Sequence, residues 1–344
     1  MKTIFTIDLI NVLHLDKFIG RDGLIASLLS HEAGVSMSTS PELPPIFAET
    51  PVMEVPARRV AEFPVNTFLE SIAVGKDNTL FVSSHYDGKV FRIGADGVAV
   101  LHAAIAGKAT GLAVKEDGSL LLSAWDDQDV PTVFIISPQG EAQVLVTLPD
   151  AIFLNGLTYL KDDVYLIADS YRGAIWKLNV TSKTVEIWLE HPMLARSSSG
   201  SVFPAVNGLK IYDDVLYASV TEKMQLVKIP LQSNGQPGEP EIFLQNINLD
   251  DFAFDIDGNL YGTTHVYNSV VKITPSGSIT TIAQAEQGMI GTTALAFGRI
   301  EGEQTKVYVV TNGGMSLPPT TGIESGKVVC LDVSSVGLPL KLQP

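Results

Sequence analysis

From residue 57 onward, apolar and polar positions alternate in short runs separated by turn dipeptides. Leu80-Phe-Val-Ser-Ser, Lys89-Val-Phe-Arg-Ile and Val98-Ala-Val-Leu-His are the first such runs, and a period of two is the mark of a strand. Asp77-Asn78, Asp87-Gly88 and Asp96-Gly97 stand between them, and such pairs supply the positive φ of tight hairpins. The rhythm continues with Asp117-Gly118 and Gln139-Gly140, then Asp162-Asp163 and Arg172-Gly173, then Asp257-Gly258 and Ser276-Gly277. A longer turn, Ser233-Asn-Gly-Gln-Pro-Gly, interrupts the fourth unit. The pattern predicts antiparallel strands throughout, grouped in units.

Within this rhythm one stretch recurs six times: a polar residue, a small or polar residue, then apolar-x-apolar. It runs Glu70-Ser71-Ile72-Ala73-Val74, Thr110-Gly111-Leu112-Ala113-Val114, Asn155-Gly156-Leu157-Thr158-Tyr159, Asn207-Gly208-Leu209-Lys210-Ile211, Asp250-Asp251-Phe252-Ala253-Phe254 and Thr293-Ala294-Leu295-Ala296-Phe297. The leading residues are 40, 45, 52, 43 and 43 positions apart. Repeats of that length built from strands predict propeller blades. The sixth unit ends at Gly326-Lys-Val-Val-Cys-Leu-Asp-Val with no outer strand, whereas segment 58–63 is left over and resembles the outer strands 142–148 and 185–190. A ring of blades has to hide its edges, so 58–63 is expected to pair with the last blade. The expected fold is all-β: one six-bladed β-propeller over residues 57–336, closed by an N-terminal strand, with 337–344 as a tail.

Residues 1–56 lack this pattern. Met1-Lys2-Thr3-Ile4-Phe5 opens like a signal peptide, but Asp8, Asp16 and Lys17 interrupt the apolar region. A short helix over 22–30, a partly disordered extension and a natural start at Met37 are the expectations. A cytoplasmic location is expected, with secretion left open. The chain of 344 residues carries 23 Lys plus Arg against 38 Asp plus Glu, a net charge of −15, which repels phosphate backbones and argues against nucleic acid. No apolar run has the length of a membrane span. The lone cysteine, Cys330, lies in an apolar strand-like run and is expected to be a buried small hydrophobe. Nothing in the sequence sets the oligomeric state.

In a propeller the first strand of each blade lines the central channel, and the second returns to the same mouth. The leading residues Glu70, Thr110, Asn155, Asn207, Asp250 and Thr293 should therefore meet the second-strand ends His85, Trp125, Asp169, Thr221, His265 and Asn312. Two of the six histidines fall in the second set. Glu70, Asn155, Asn207 and Asp250 offer two carboxylates and two amide oxygens, hard donors suited to Ca²⁺ and poor for zinc. The other reading of these residues is a hydrogen-bonded polar plug in the channel. Asp255-Ile-Asp257-Gly258-Asn259 superficially resembles a calcium loop, but its twelfth position is Val266 rather than Glu and its flanks are strands, so a hairpin turn is expected.

The order Glu, Asn-Gly, Asn-Gly, Asp, in blade register over roughly residues 57–335, resembles the calcium-dependent six-bladed propellers. These include senescence marker protein-30, gluconolactonase, paraoxonase and diisopropyl fluorophosphatase. The resemblance implies a calcium ion held by Glu70, Asn155, Asn207 and Asp250, and places His265 where paraoxonases carry an active-site histidine. Thr110 stands where paraoxonases have a histidine, and Ala253 where diisopropyl fluorophosphatase has a second aspartate, so neither catalytic arrangement is reproduced whole. The function expected is calcium-dependent hydrolysis of a small-molecule lactone, ester or phosphotriester. His265 leads as the base, followed by His85 and Asp169. Thr110, Trp125 and Asn312 are expected substrate contacts, and Tyr86, Tyr171 and Tyr267 are expected to join Trp125 in an apolar wall. The alternatives are a non-hydrolytic enzyme like the strictosidine-synthase propellers and a binding scaffold with a structural calcium.

Overall fold

The computed structural model describes residues 50–339. The expectations for a 22–30 helix, a start at Met37, a disordered extension and most of the C-terminal tail lie outside these residues. Six four-stranded antiparallel sheets form the blades, and five of them are contiguous four-strand meanders. In the sixth the outermost strand is Ala57–Val65, which pairs antiparallel with Ser325–Asp332. The ring is closed as the leftover segment predicted.

Successive residues of a strand point to opposite faces, and in an inner strand both faces are covered by neighbouring blades. In Val164–Asp169, Leu166 and Ala168 pack with Val206, Leu209 and Leu216 of the following blade. Tyr165 and Ile167 of the same strand pack with Leu121 and Val133 of the preceding blade. This two-sided burial is why such strands read as unbroken apolar runs, whereas the outer strand Thr184–Glu190 is mostly exposed. Cys330 lies in the cluster that joins the closing strand, blade one and blade six; it is buried, and burial pushes its thiol pKa up. The predicted turns take positive φ at Asn78, Gly88, Gly97, Asp162 and Asp163 among others. Asp255 caps its hairpin by accepting bonds from the Asp257 and Asn259 backbones, as a turn rather than a calcium loop.

The first strands of the six blades are Leu69–Val74, Lys108–Val114, Leu154–Lys161, Val206–Tyr212, Phe252–Phe254 and Thr292–Phe297. In five of them the register against the second strand slips at the leading residue, between Leu69 and Ser71, Ala109 and Leu112, Leu154 and Leu157, Val206 and Leu209, and Thr292 and Ala294. A bulge re-aims the side chain it carries. In the remaining blade Asp250 and Asp251 precede a strand of three residues. The glycines that follow the leading residues have a packing reason. A Cβ on Gly111 would stand 2.4 Å from the Asn155 carbonyl oxygen, and one on Gly156 would stand 2.6 Å from that of Asn207. Hydroxyls complete the seam: Ser83 donates to the Thr110 carbonyl, Ser219 to that of Asp250 and Thr263 to that of Thr293. No helix among the described residues is long and apolar enough to cross a membrane.

Candidate functional site

Asp250 stands at the centre of the polar cluster at the channel mouth. Its Oδ1 accepts a bond from Asn207 Nδ2 at 2.6 Å, and its Oδ2 lies 2.7 Å from His265 Nδ1. Asn207 Nδ2 also faces Thr221 Oγ1 at 3.2 Å, and Thr221 in turn donates to the Leu249 carbonyl. The Asp250 side chain is 7% exposed and that of His265 18%. A carboxylate against Nδ1 fixes the proton there and leaves the lone pair on Nε2. Nε2 meets Ser316 Oγ at 2.8 Å and Asn312 Nδ2 at 3.2 Å. His265 adopts φ of 49°, a left-handed conformation uncommon outside glycine.

Glu70 is the outlier in the cluster. Burial, with the charges of Asp250 and Asp251 adding to it, holds the Glu70 carboxyl well above its ordinary value of 4.5. Asp251 is also raised by burial, partly countered by an ion pair with Lys210 at 2.5 Å. Crowded carboxylates without a cation are unfavourable, and a divalent ion relieves that repulsion. The donor set passes the chemical test for calcium: two carboxylates and two amides, all oxygen. Asn207 presently reaches Asp250 through its nitrogen, but rotation of an amide exchanges nitrogen for oxygen. Among the described residues no group of three or more His, Cys, Asp or Glu side chains is placed to hold a metal.

The second-strand ends have different fates. Asp169 is fully buried and its carboxylate accepts from the backbone of Ile152, Phe153 and Arg172 and from Trp176 Nε1. Four donors occupy it as a bracket for the 150–154 turn. Thr110 is fully buried and its hydroxyl serves the carbonyls of Ser123 and Leu154. Asn312 is buried beside His265, where its Oδ1 accepts from the Gly314 and Met315 backbones and its nitrogen faces the ring. His85 donates from Nδ1 to the Ala109 carbonyl at 2.8 Å and belongs to an arc of rings.

That arc runs along the mouth. Ring centroids are 6.3 Å apart for His265 and Phe68, 5.6 Å for Phe68 and Tyr86, and 4.7 Å for Tyr86 and His85. It continues at 6.0 Å from His85 to Trp125, 4.6 Å to Phe153 and 5.0 Å to Tyr171. Tyr86, Trp125 and Tyr171 stand in the expected wall, whereas the Tyr267 hydroxyl is turned to the Met224 sulfur. Burial and the nearby Glu70 charge push the Tyr86 hydroxyl pKa up. Phe68 and Phe153 escaped the sequence reading, although each stands two residues before a leading position. Ser316 escaped as well, because the loop that carries it has no counterpart in other blades. Away from this mouth, a cavity of about 870 Å³ is lined by inner-strand residues such as Val74, Val114, Tyr159 and Phe297, and none of the expected site residues borders it.

No family model and no curated protein matches the chain. Solved structures do. Regucalcin, a calcium-binding protein of Agrobacterium tumefaciens strain C58, superposes with a TM-score of 0.67 at 16% identity over 86% of this chain and 100% of its own. A gluconolactonase of Xanthomonas campestris gives 0.62 at 14% identity over 82% and 91%. The virginiamycin B lyase of Staphylococcus aureus gives 0.51 at 15% identity over 84% and 90%. This chain shares a propeller architecture with these structures and, like the regucalcin and the gluconolactonase, builds it from six blades. At such identities the likeness establishes architecture, and the chemistry has to be argued from the site.

Proposed function

We propose that the chain is a calcium-dependent hydrolase of a small lactone, ester or phosphotriester, acting at the mouth where the leading residues converge. One observation carries this reading: burial and the nearby charge of Asp250 hold the Glu70 carboxyl up, Asp250 is bonded to the amide of Asn207, and a histidine oriented by Asp250 stands alongside. Glu70, Asn155, Asn207 and Asp250 would hold the ion, which when bound supplies a Lewis acid for the substrate oxygen. His265, with its Nε2 facing Ser316 and Asn312, takes a proton from the attacking group and returns it to the leaving group. The ring arc binds an apolar part of the substrate and excludes water from one side. The net charge of −15 supports a small molecule rather than a nucleic acid as ligand. Two structural neighbours are described as a calcium-binding protein and a gluconolactonase, which supports the same reading. A second reading, a non-hydrolytic enzyme, draws on the fold shared with a lyase.

The test is to measure bound calcium and thermal stability for wild type and Glu70→Gln, with and without chelator, and then to screen lactones, aryl esters and phosphotriesters. Bound calcium, a chelator-sensitive melt in wild type only and hydrolysis of one class are expected. Absence of both bound metal and any chelator effect would sink the calcium reading. Calcium without hydrolysis would favour the second.

A further inference from the structure

Ser316 lies half-buried on the loop joining Lys306–Thr311 to Ser325–Asp332, at the end of a continuous line of hydrogen bonds. Asp250 Oδ2 to His265 Nδ1 is 2.7 Å, and His265 Nε2 to Ser316 Oγ is 2.8 Å. We propose that Ser316 is a nucleophile of this site, activated by His265 and forming a covalent ester with acyl or phosphoryl substrates. The proposal rests on the hydrolytic reading of the mouth and names the group that attacks.

Three features make the line directional. The Asp250 carboxylate can only accept, so it places the proton on Nδ1 and the lone pair on Nε2, towards the serine. The histidine is held in its left-handed conformation by a pinned turn, in which Asn268 N donates to the His265 carbonyl and Thr264 Oγ1 bonds the Ser269 carbonyl. Such strain persists where surrounding structure fixes it, and it occurs often at active sites. The serine loop is shaped by Asn312, whose Oδ1 accepts from the Gly314 and Met315 backbones and thereby commits Nδ2 to face His265 and Ser316 Oγ, at 3.2 and 3.4 Å.

The step balances. The Ser316 hydroxyl proton moves to His265 Nε2 as Oγ bonds to the acyl carbon. The bond from that carbon to the leaving oxygen breaks, and His265 returns the proton to the departing alkoxide. Water then adds to the acyl carbon, giving its proton to His265, and Ser316 Oγ leaves and recovers it. The two oxygens of Asp250 face different ways, Oδ1 to Asn207 and Oδ2 to His265.

The experiment treats the full chain, in chelator, with an alkyl fluorophosphonate and maps the adduct by peptide mass spectrometry. Fluoride leaves as Oγ bonds to phosphorus. An adduct on Ser316 is expected, absent in Ser316→Ala and formed about 100-fold more slowly in His265→Gln. Ser316→Cys guards against a folding artefact: its thiol should react with iodoacetamide faster when His265 is present than in the double variant with His265→Gln. An adduct elsewhere or none at all, or a rate indifferent to His265, overturns the proposal. Ester turnover is followed in parallel with calcium added. Turnover without a Ser316 adduct keeps the hydrolase and removes the nucleophile; an adduct without turnover keeps the nucleophile and removes that hydrolase.

Discussion

Glu70 and Asp169 show how two carboxylates at equivalent heights of the ring acquire opposite characters. Asp169 is surrounded by donors and Glu70 by acids. In chelated protein the raised Glu70 pKa means that the folded state keeps a proton the unfolded state has lost. Stability therefore falls as pH rises from the ordinary value of 4.5 through the raised one, and it stays lower above. Glu70→Gln removes this loss. The variant should melt a few degrees above wild type at neutral pH in chelator, the gap closing towards pH 4 and reversing with calcium present, as thermal melts would show. Asp169→Ala strands one buried and three part-buried donors and should cost on the order of 3 kcal/mol in urea titrations, without altering calcium binding. The sequence placed both residues at strand ends. It could not distinguish them, because the donors that occupy Asp169 come from a turn whose backbone direction no residue pattern encodes.

At the scale of the strand, the alternation and turn pairs made the blades legible, and the leading polar residues marked the innermost strand of each. The bulges at those positions explain why a polar side chain sits at the head of an apolar run. Gly156→Ala tests this arrangement. A methyl 2.6 Å from the Asn207 carbonyl oxygen must push two inner strands apart, at a cost of about 1–3 kcal/mol. Because the displaced residues are Asn155 and Asn207, calcium affinity should fall further than stability alone implies, which isothermal titration on the folded variant would reveal. What stayed hidden belongs to irregular segments. Ser316 is found by its bond to His265 and by no spacing. Phe68 and Phe153 had a usable signal, since both precede a leading residue by two positions, but only the geometry shows that their rings meet.

The whole molecule is held as a ring by one added strand. Phe63 of that strand is 5% exposed and packs edge-on against Phe91 of blade one, with ring centroids 5.1 Å apart. It fastens the closing strand to the next blade as well as to its own. Phe63→Ala should cost about 3–5 kcal/mol and lower the melting temperature accordingly. If blade six melts separately instead, the unfolding curve will split into two steps.

Closure also has a consequence in time. Glu62 bonds Ser325 across 263 residues of sequence, so the sixth blade cannot be completed until nearly the whole chain has left the ribosome. Ala57 pairs with Leu331, and the Asp332 amide bonds the Pro56 carbonyl, so a short linker from the end of the last strand to the start of the first would form an ordinary hairpin. A circular permutant beginning just before Phe68 would make all six sheets contiguous meanders. It should refold faster than the natural order while keeping the channel mouth unchanged.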